Sequence, residues 1–202
     1  MTIFYTVLKS RFSDRDLKII YETFSDDFIS RVQKSKVNIY IDKRFTLMLL
    51  IIEICKKMNI PTSYLIFLKH NENGKAIMPN LNIAISYTKN FIFCAISHMR
   101  IGFDVEYIDK NIPRENLAIL NTCIGSSIRN YENFYLEWTR LESIIKYYDD
   151  LSLLKILFDK ININDFKLDT IYLKTRQRCL IAISGENIAP FEKTINIKYQ
   201  KI

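Results

Sequence analysis

The run over residues 42–58 constrains this chain most, because it is apolar nearly all round a helical wheel and is stopped by Asn59-Ile60-Pro61. A helix of that kind has no solvent face to offer and must be buried. It is not a membrane span. Its apolar centre over 45–54 is broken by Thr46 and Glu53, well short of the roughly 20 residues a spanning helix needs. Other elements must therefore cover it, and a 202-residue chain with a 49% hydrophobic share can supply them. Disorder is excluded as the main state. The length admits one domain or two small halves.

Patterning sets the remaining elements. A β-branched and aromatic opening predicts a strand over 2–8, and Ser13 with Asp14 and Asp16 predicts a helix start. Strands are expected over 64–68, 82–87, 91–97 and 101–108, the last three as an antiparallel meander, with a turn at Asn71-Glu72-Asn73-Gly74. Helices are expected from 114 and over 130–148, then strands over 166–174, 178–184 and 194–199. Both halves thus combine helices with strands, an α+β pattern. Phe93-Cys94-Ala95-Ile96-Ser97 and Cys179-Leu180-Ile181-Ala182-Ile183-Ser184 form a faint echo of duplication. The boundary falls near Met99 to Ile101, giving halves 1–100 and 101–202.

Several chemistries are excluded by what is missing. Four glycines write neither a Walker loop nor G-x-G-x-x-G, and two histidines make no H-E-x-x-H. The N-terminus MTIFYTVLKSRF lacks the pattern of a secretory signal. Cys55, Cys94, Cys123 and Cys179 form no C-x-x-C pair and read as free, mostly buried thiols of a reducing compartment. A cytoplasmic location is expected. The net charge of +7 favours an anionic partner, although no block of like charges marks a nucleic-acid tail.

Two stretches carry chemistry. In Ile101-Gly102-Phe103-Asp104-Val105-Glu106-Tyr107, a period of two puts Asp104 and Glu106 on one face, with Gly102 leaving space beside Asp104. Paired hard oxygens suit Mg²⁺, which takes one or two carboxylates and fills its other sites with water and substrate phosphate. Two solvated acids on an exposed strand are the plain alternative. In Trp138-Thr139-Arg140-Leu141-Glu142-Ser143-Ile144-Ile145-Lys146, helical spacing aligns Trp138, Glu142 and Lys146 in one stripe. The plain alternative there is a surface Glu–Lys pair. Cys123 reads as a structural thiol with no histidine to partner it.

Together the two stretches resemble the paired signatures of the 4′-phosphopantetheinyl transferases of the single-chain, surfactin-synthetase-activating type. That family has a strand G-[IV]-D-[VI]-E and, a few tens of residues later, a helix W-[ST]-x-K-E-[AS]-x-x-K. Further back, Asn82-Ile83-Ala84-Ile85-Ser86-Tyr87-Thr88 matches a family strand end, Gly74-Lys75-Ala76 matches G-K-P, and Arg44 lies on a helix where members keep a basic residue.

The resemblance implies two similar α/β halves related by a pseudo-twofold, each a small, largely antiparallel sheet packed with helices, and a substrate cleft between them. It implies Mg²⁺ held by Asp104, Glu106 and Glu142, with Glu142 and Lys146 catalytic. Coenzyme A, the substrate, would be bound by Arg44, Gly74, Lys75, Ser86 and Tyr87. The acceptor would be a serine of an acidic acyl or peptidyl carrier protein of fatty-acid, polyketide or nonribosomal-peptide synthesis. A monomer is expected, with neither membrane nor nucleic acid as partner. Tyr87 stands where the family has histidine and Leu141 where it has lysine, and Tyr147-Tyr148-Asp149-Asp150 replaces a glycine-rich ending. The base glutamate that bacterial members place after the first motif has no counterpart, leaving that role to Glu115 or Glu142. A relative that binds coenzyme A or a carrier without transfer is the alternative.

Overall fold

The first strand, β1 (Thr2–Val7), is buried along nearly its whole length and lies inside its sheet. The computed structural model describes residues 1–34, 37–70, 76–79, 81–148, 150–188 and 193–196. Helix α1 (Asp14–Thr23) starts with a capping box, in which Ser13 accepts from the Asp16 amide while Asp16 reaches back to the Ser13 amide at 2.8 Å. Helix α2 (Asp26–Gln33) is capped by Ser25. The apolar helix α3 (Asn38–Lys57) begins ahead of the expected residue 42, because no side chain caps its start and nothing in the sequence marks it. Its first turn is exposed, with Ile39 and Tyr40 in solvent, and burial begins at Phe45.

A 3-10 turn, Thr62–Phe67, stands where a strand was expected over 64–68. Leu65 and Leu68 are fully buried while Tyr64, Ile66 and Phe67 are exposed. A spacing of three suits a 3-10 turn, whereas a strand would alternate. Strands β2 (Lys69–His70), β3 (Ala76–Met78), β4 (Leu81–Thr88) and β5 (Phe91–Ser97) follow. The expected turn over 71–74 lies outside the described residues.

The second group comprises β6 (Gly102–Tyr107), α4 (Arg114–Ile124), α5 (Tyr131–Tyr147), α6 (Leu153–Phe158), β7 (Asp169–Lys174) and β8 (Cys179–Gly185), and β9 (Lys193–Asn196) closes the described chain. Helix α4 ends on Gly125 in the left-handed region at φ 65°, as helix termini commonly do. The protein is α+β, with two small, largely antiparallel sheets packed with helices. One has the order β2-β3-β4-β5-β1-β9 and the other β6-β8-β7. Among the described residues the single parallel pair is β1 with β9.

Two expectations are corrected. The meander does not continue into β6, because the free side of β5 is taken by β1 and β6 pairs with β8 instead. The strand expected over 194–199 does not join the second sheet. It pairs with the open side of β1, Thr2 opposite Lys193, and 197–199 lie outside the described residues. The chain accordingly divides into a first unit of residues 1–99 with β9 and a second running from Arg100 to the segment before β9. In the first, α3 packs on β1 and β5; in the second, α5 packs on β6 and β8.

The sheets differ in size, six strands against three, but some local connections recur. Strand β1 and a helix starting at Asp14 have as counterparts β6 and a helix starting at Arg114. Thr2 pairs with Ile96 as Gly102 pairs with Ser184, and the Leu8 amide donates to the Asn90 carbonyl as Ile108 does to Arg178. No helix among the described residues is long and apolar enough to cross a membrane. All four cysteines are free and buried.

The seating of α3 has a direct test. Leu50 is fully buried, so Leu50→Ala is expected to cost about 2–5 kcal/mol. Ile39, 52% exposed, should change stability by no more than about 0.5 kcal/mol as Ile39→Ala. Urea midpoints distinguish them, and equal losses would contradict this placement of the helix.

Candidate functional site

Alternation on β6 sends Phe103 and Val105, both fully buried, to one face and Gly102, Asp104 and Glu106 to the other. The second face carries α5. At Gly102 the helix backbone comes so near that a Cβ would lie 1.8 Å from the Ser143 carbonyl oxygen and 2.8 Å from the Tyr147 nitrogen. Only glycine fits that approach. The stripe Trp138, Glu142 and Lys146 on α5 therefore lies over the two strand acids.

The contacts follow from this seating. Lys146 Nζ donates to Asp104 Oδ1 at 2.6 Å. Asp104 is almost fully buried at 4% exposure, whereas the Lys146 side chain keeps 36% of its surface in solvent. The Trp138 indole N–H donates to Glu106. Trp138 is the single tryptophan of the chain, buried and stacked on Phe134 with ring centroids 5.8 Å apart.

Crowding of acids shows in their proton affinities. Burial, then the neighbouring charges of Asp104 and Glu142, push Glu106 up to about 7, against the pull of Lys146 and the Trp138 hydrogen bond. Glu142 is likewise raised, by burial first and Asp104 second, with Lys146 opposing. Three carboxylates thus surround one ammonium, and the cluster takes up a proton or a cation readily. Among the described residues no three His, Cys, Asp or Glu side chains form a group that could hold a metal ion. The acids are neighbours around Lys146, not a closed ligand cage.

Behind them runs a chain of buried hydroxyls. Ser143 Oγ donates to the Arg140 carbonyl at 2.8 Å and lies 2.6 Å from Ser184 Oγ, which lies 3.0 Å from Thr170 Oγ1. Nothing in the sequence pairs Ser143 with Ser184. At the other end of α5, Arg100 Nε donates to the Tyr147 carbonyl at 2.8 Å and its guanidinium lies over the Tyr147 ring. Leu141 is fully buried in the same apolar cluster as Trp138. An open cavity of about 570 Å³ near the start of α5, lined by Arg129, Asn133 and Glu137 among others, includes none of the four charged residues.

Five residues are expected to hold coenzyme A. Gly74 and Lys75 lie outside the described residues. Arg44, Ser86 and Tyr87 belong to the first unit. Ser86 and Tyr87 are adjacent on β4, so their side chains point to opposite faces of the sheet. Tyr87 packs against the core under α3, where its hydroxyl is buried without a hydrogen bond of good geometry. Burial pushes that phenol up to about 12, with nearby Arg44 opposing. Lys43 Nζ lies 5.8 Å from the Tyr87 ring centre. Arg44 and Tyr87 are thus neighbours, and Ser86 faces away from both. Cys123 is buried and its thiol raised by burial, the reverse of an activated nucleophile.

The raised Glu106 gives a pH prediction. A carboxyl that titrates near 7 when folded, against 4.5 ordinarily, holds its proton more tightly in the native state, so stability is lost as pH rises across that interval. Glu106→Gln removes the penalty and can still accept from Trp138. In chelator-containing buffer the variant should be the more stable protein at about pH 8, by on the order of 3 kcal/mol, with the gap closing below about pH 4.5. Thermal unfolding at several pH values measures it, and a gap independent of pH would contradict the assignment.

No family model and no curated protein matches the chain.

Proposed function

We propose that the protein is a 4′-phosphopantetheinyl transferase, moving the phosphopantetheine group of coenzyme A to a serine hydroxyl of an acyl or peptidyl carrier protein. The observation that carries this reading is the 2.6 Å pair of Lys146 and Asp104, which joins the two motif stretches in one cluster with Glu106 and Glu142. The hard-oxygen chemistry of the three acids fits Mg²⁺, which needs only one or two protein carboxylates when substrate oxygens and water complete its shell. The three acids are not gathered into one ligand group, so two of Asp104, Glu106 and Glu142 at a time would hold the ion, and it would neutralise charge on the pyrophosphate.

The protein's own groups do the rest. The carrier serine oxygen forms a bond to the β-phosphorus while the bond to 3′,5′-ADP breaks. Glu142, whose raised proton affinity suits a base, takes the hydroxyl proton. The Lys146 ammonium stabilises charge developing on the transferred group, and such positioning and electrostatic clamping do most of the work in phosphoryl transfer. The resemblance assigns Arg44, Gly74, Lys75, Ser86 and Tyr87 to the coenzyme, and of these Arg44 and Tyr87 are neighbours that could meet one end of it, whereas Ser86 lies on the opposite face of β4. The surplus of 29 basic over 22 acidic residues favours encounter with an acidic carrier. This reading also makes the two units pseudo-twofold halves, which the matching runs β4-β5-β1 and β7-β8-β6 support.

A second reading, a relative that binds coenzyme A or a carrier without transfer, is favoured by Lys146 already paired to Asp104 and by a burial of Leu141 that leaves the family's lysine position apolar. Intact-mass spectrometry decides between them. An apo carrier incubated with the protein, coenzyme A and Mg²⁺ should gain the mass of phosphopantetheine, and chelation should abolish the gain. Asp104→Ala and Glu142→Ala should remove it while the circular dichroism of the fold is retained. Full transfer by either variant refutes the metal assignment. No gain on several carriers, from protein that still binds coenzyme A, selects the second reading.

A further inference from the structure

The matching runs of strands in the two units make one an internal comparison for the other. Across three neighbouring strands, the row Thr2, Ile96, Ile83 in the first unit corresponds to Gly102, Ser184, Thr170 in the second. Ile83 and Ile96 belong to an ordinary apolar core beneath α3. The fold therefore seats a helix over this row without a hydroxyl chain. In the second unit the same row holds Ser184 and Thr170, linked to Ser143 of α5, and here alone the helix lies over acids.

The direction of the chain is set by its end. The Arg140 carbonyl only accepts, so the Ser143 proton goes there, Ser184 donates into Ser143, and Thr170 donates into Ser184. Ser143 and Ser184 are fully buried. Sliding α5 along the sheet would break the one bond of the chain that joins helix to sheet, between Ser184 and Ser143, while Ser143 keeps the Arg140 carbonyl and Ser184 keeps Thr170, at a cost of about 0.5–1.5 kcal/mol. Apolar packing has no such directionality.

We propose that the Thr170–Ser184–Ser143 chain is a positioning device that fixes the height of α5 on β6, and so sets Glu142 and Lys146 against Asp104 and Glu106. Its consequence for turnover rests on the transferase reading; the positional claim does not. Trp138 reports the register directly, because its indole N–H on α5 donates to Glu106 on β6. As the only tryptophan, it gives a single indole N–H resonance in a ¹⁵N-labelled sample.

Ser184→Ala and Thr170→Val should both displace that resonance, and Thr170→Ser, which restores the hydroxyl, should return it. In the carrier assay the first two should lower kcat about tenfold to a hundredfold, with KM for coenzyme A unchanged. A resonance that stays in place in both, with only a lower unfolding midpoint, overturns the proposal, and so does a displaced resonance with wild-type kcat. If Ser184→Ala does not fold, the Thr170 pair decides. If the wild-type protein transfers nothing, the transferase reading fails while the resonance still tests the register.

Discussion

A carboxylate removed from water needs a cation or a proton beside it, and the second unit removes three at once around a single lysine. Lys146 answers directly to Asp104. Glu106 and Glu142 are left to raise their proton affinity, Glu106 by enough to titrate near neutrality. Everything else in this unit serves that arrangement. Gly102 lets the helix backbone descend onto the strand. Trp138 spans from the helix to the second acid, and Arg100 fastens the last turn of α5 through the Tyr147 carbonyl.

Comparison inside the chain separates what the fold needs from what it does not. Phe4 and Asp104 hold matching positions, each on the helix-bearing face of its sheet and each almost completely buried. At Phe4 the position is ordinary core. At Asp104 the same position holds a charge that weakens packing and must be offset by Lys146. A fold that accepts phenylalanine there has no structural need of an acid, so the carboxylate costs stability without serving the packing.

Much of this was legible in the residues and some was not. The period of two on 102–106 and the fourfold spacing of Trp138, Glu142 and Lys146 place those side chains on faces, because strands and helices obey fixed geometry. That the faces meet depends on tertiary packing, and the Ser143–Ser184 contact spans elements with no common pattern. The pairing of β6 with β8 was hidden because adjacency in sequence suggested a meander, while β1 had already claimed the free side of β5. Residues 64–68 have strand-forming composition, yet burial of Leu65 and Leu68 outweighs it. Ser86 and Tyr87 were grouped by the family resemblance, yet neighbours on a strand take opposite faces.

The parallel pairing of β9 with β1 makes the first unit discontinuous, with the second threaded between its parts. During synthesis β1 is made before the second unit, and its neighbour on that side emerges only after the whole second unit. Until then β1 presents unpaired amides and carbonyls, the kind of exposed strand edge that invites association with other chains. Order of emergence from the ribosome thus completes the chain of the second unit before the sheet of the first can gain its last described strand.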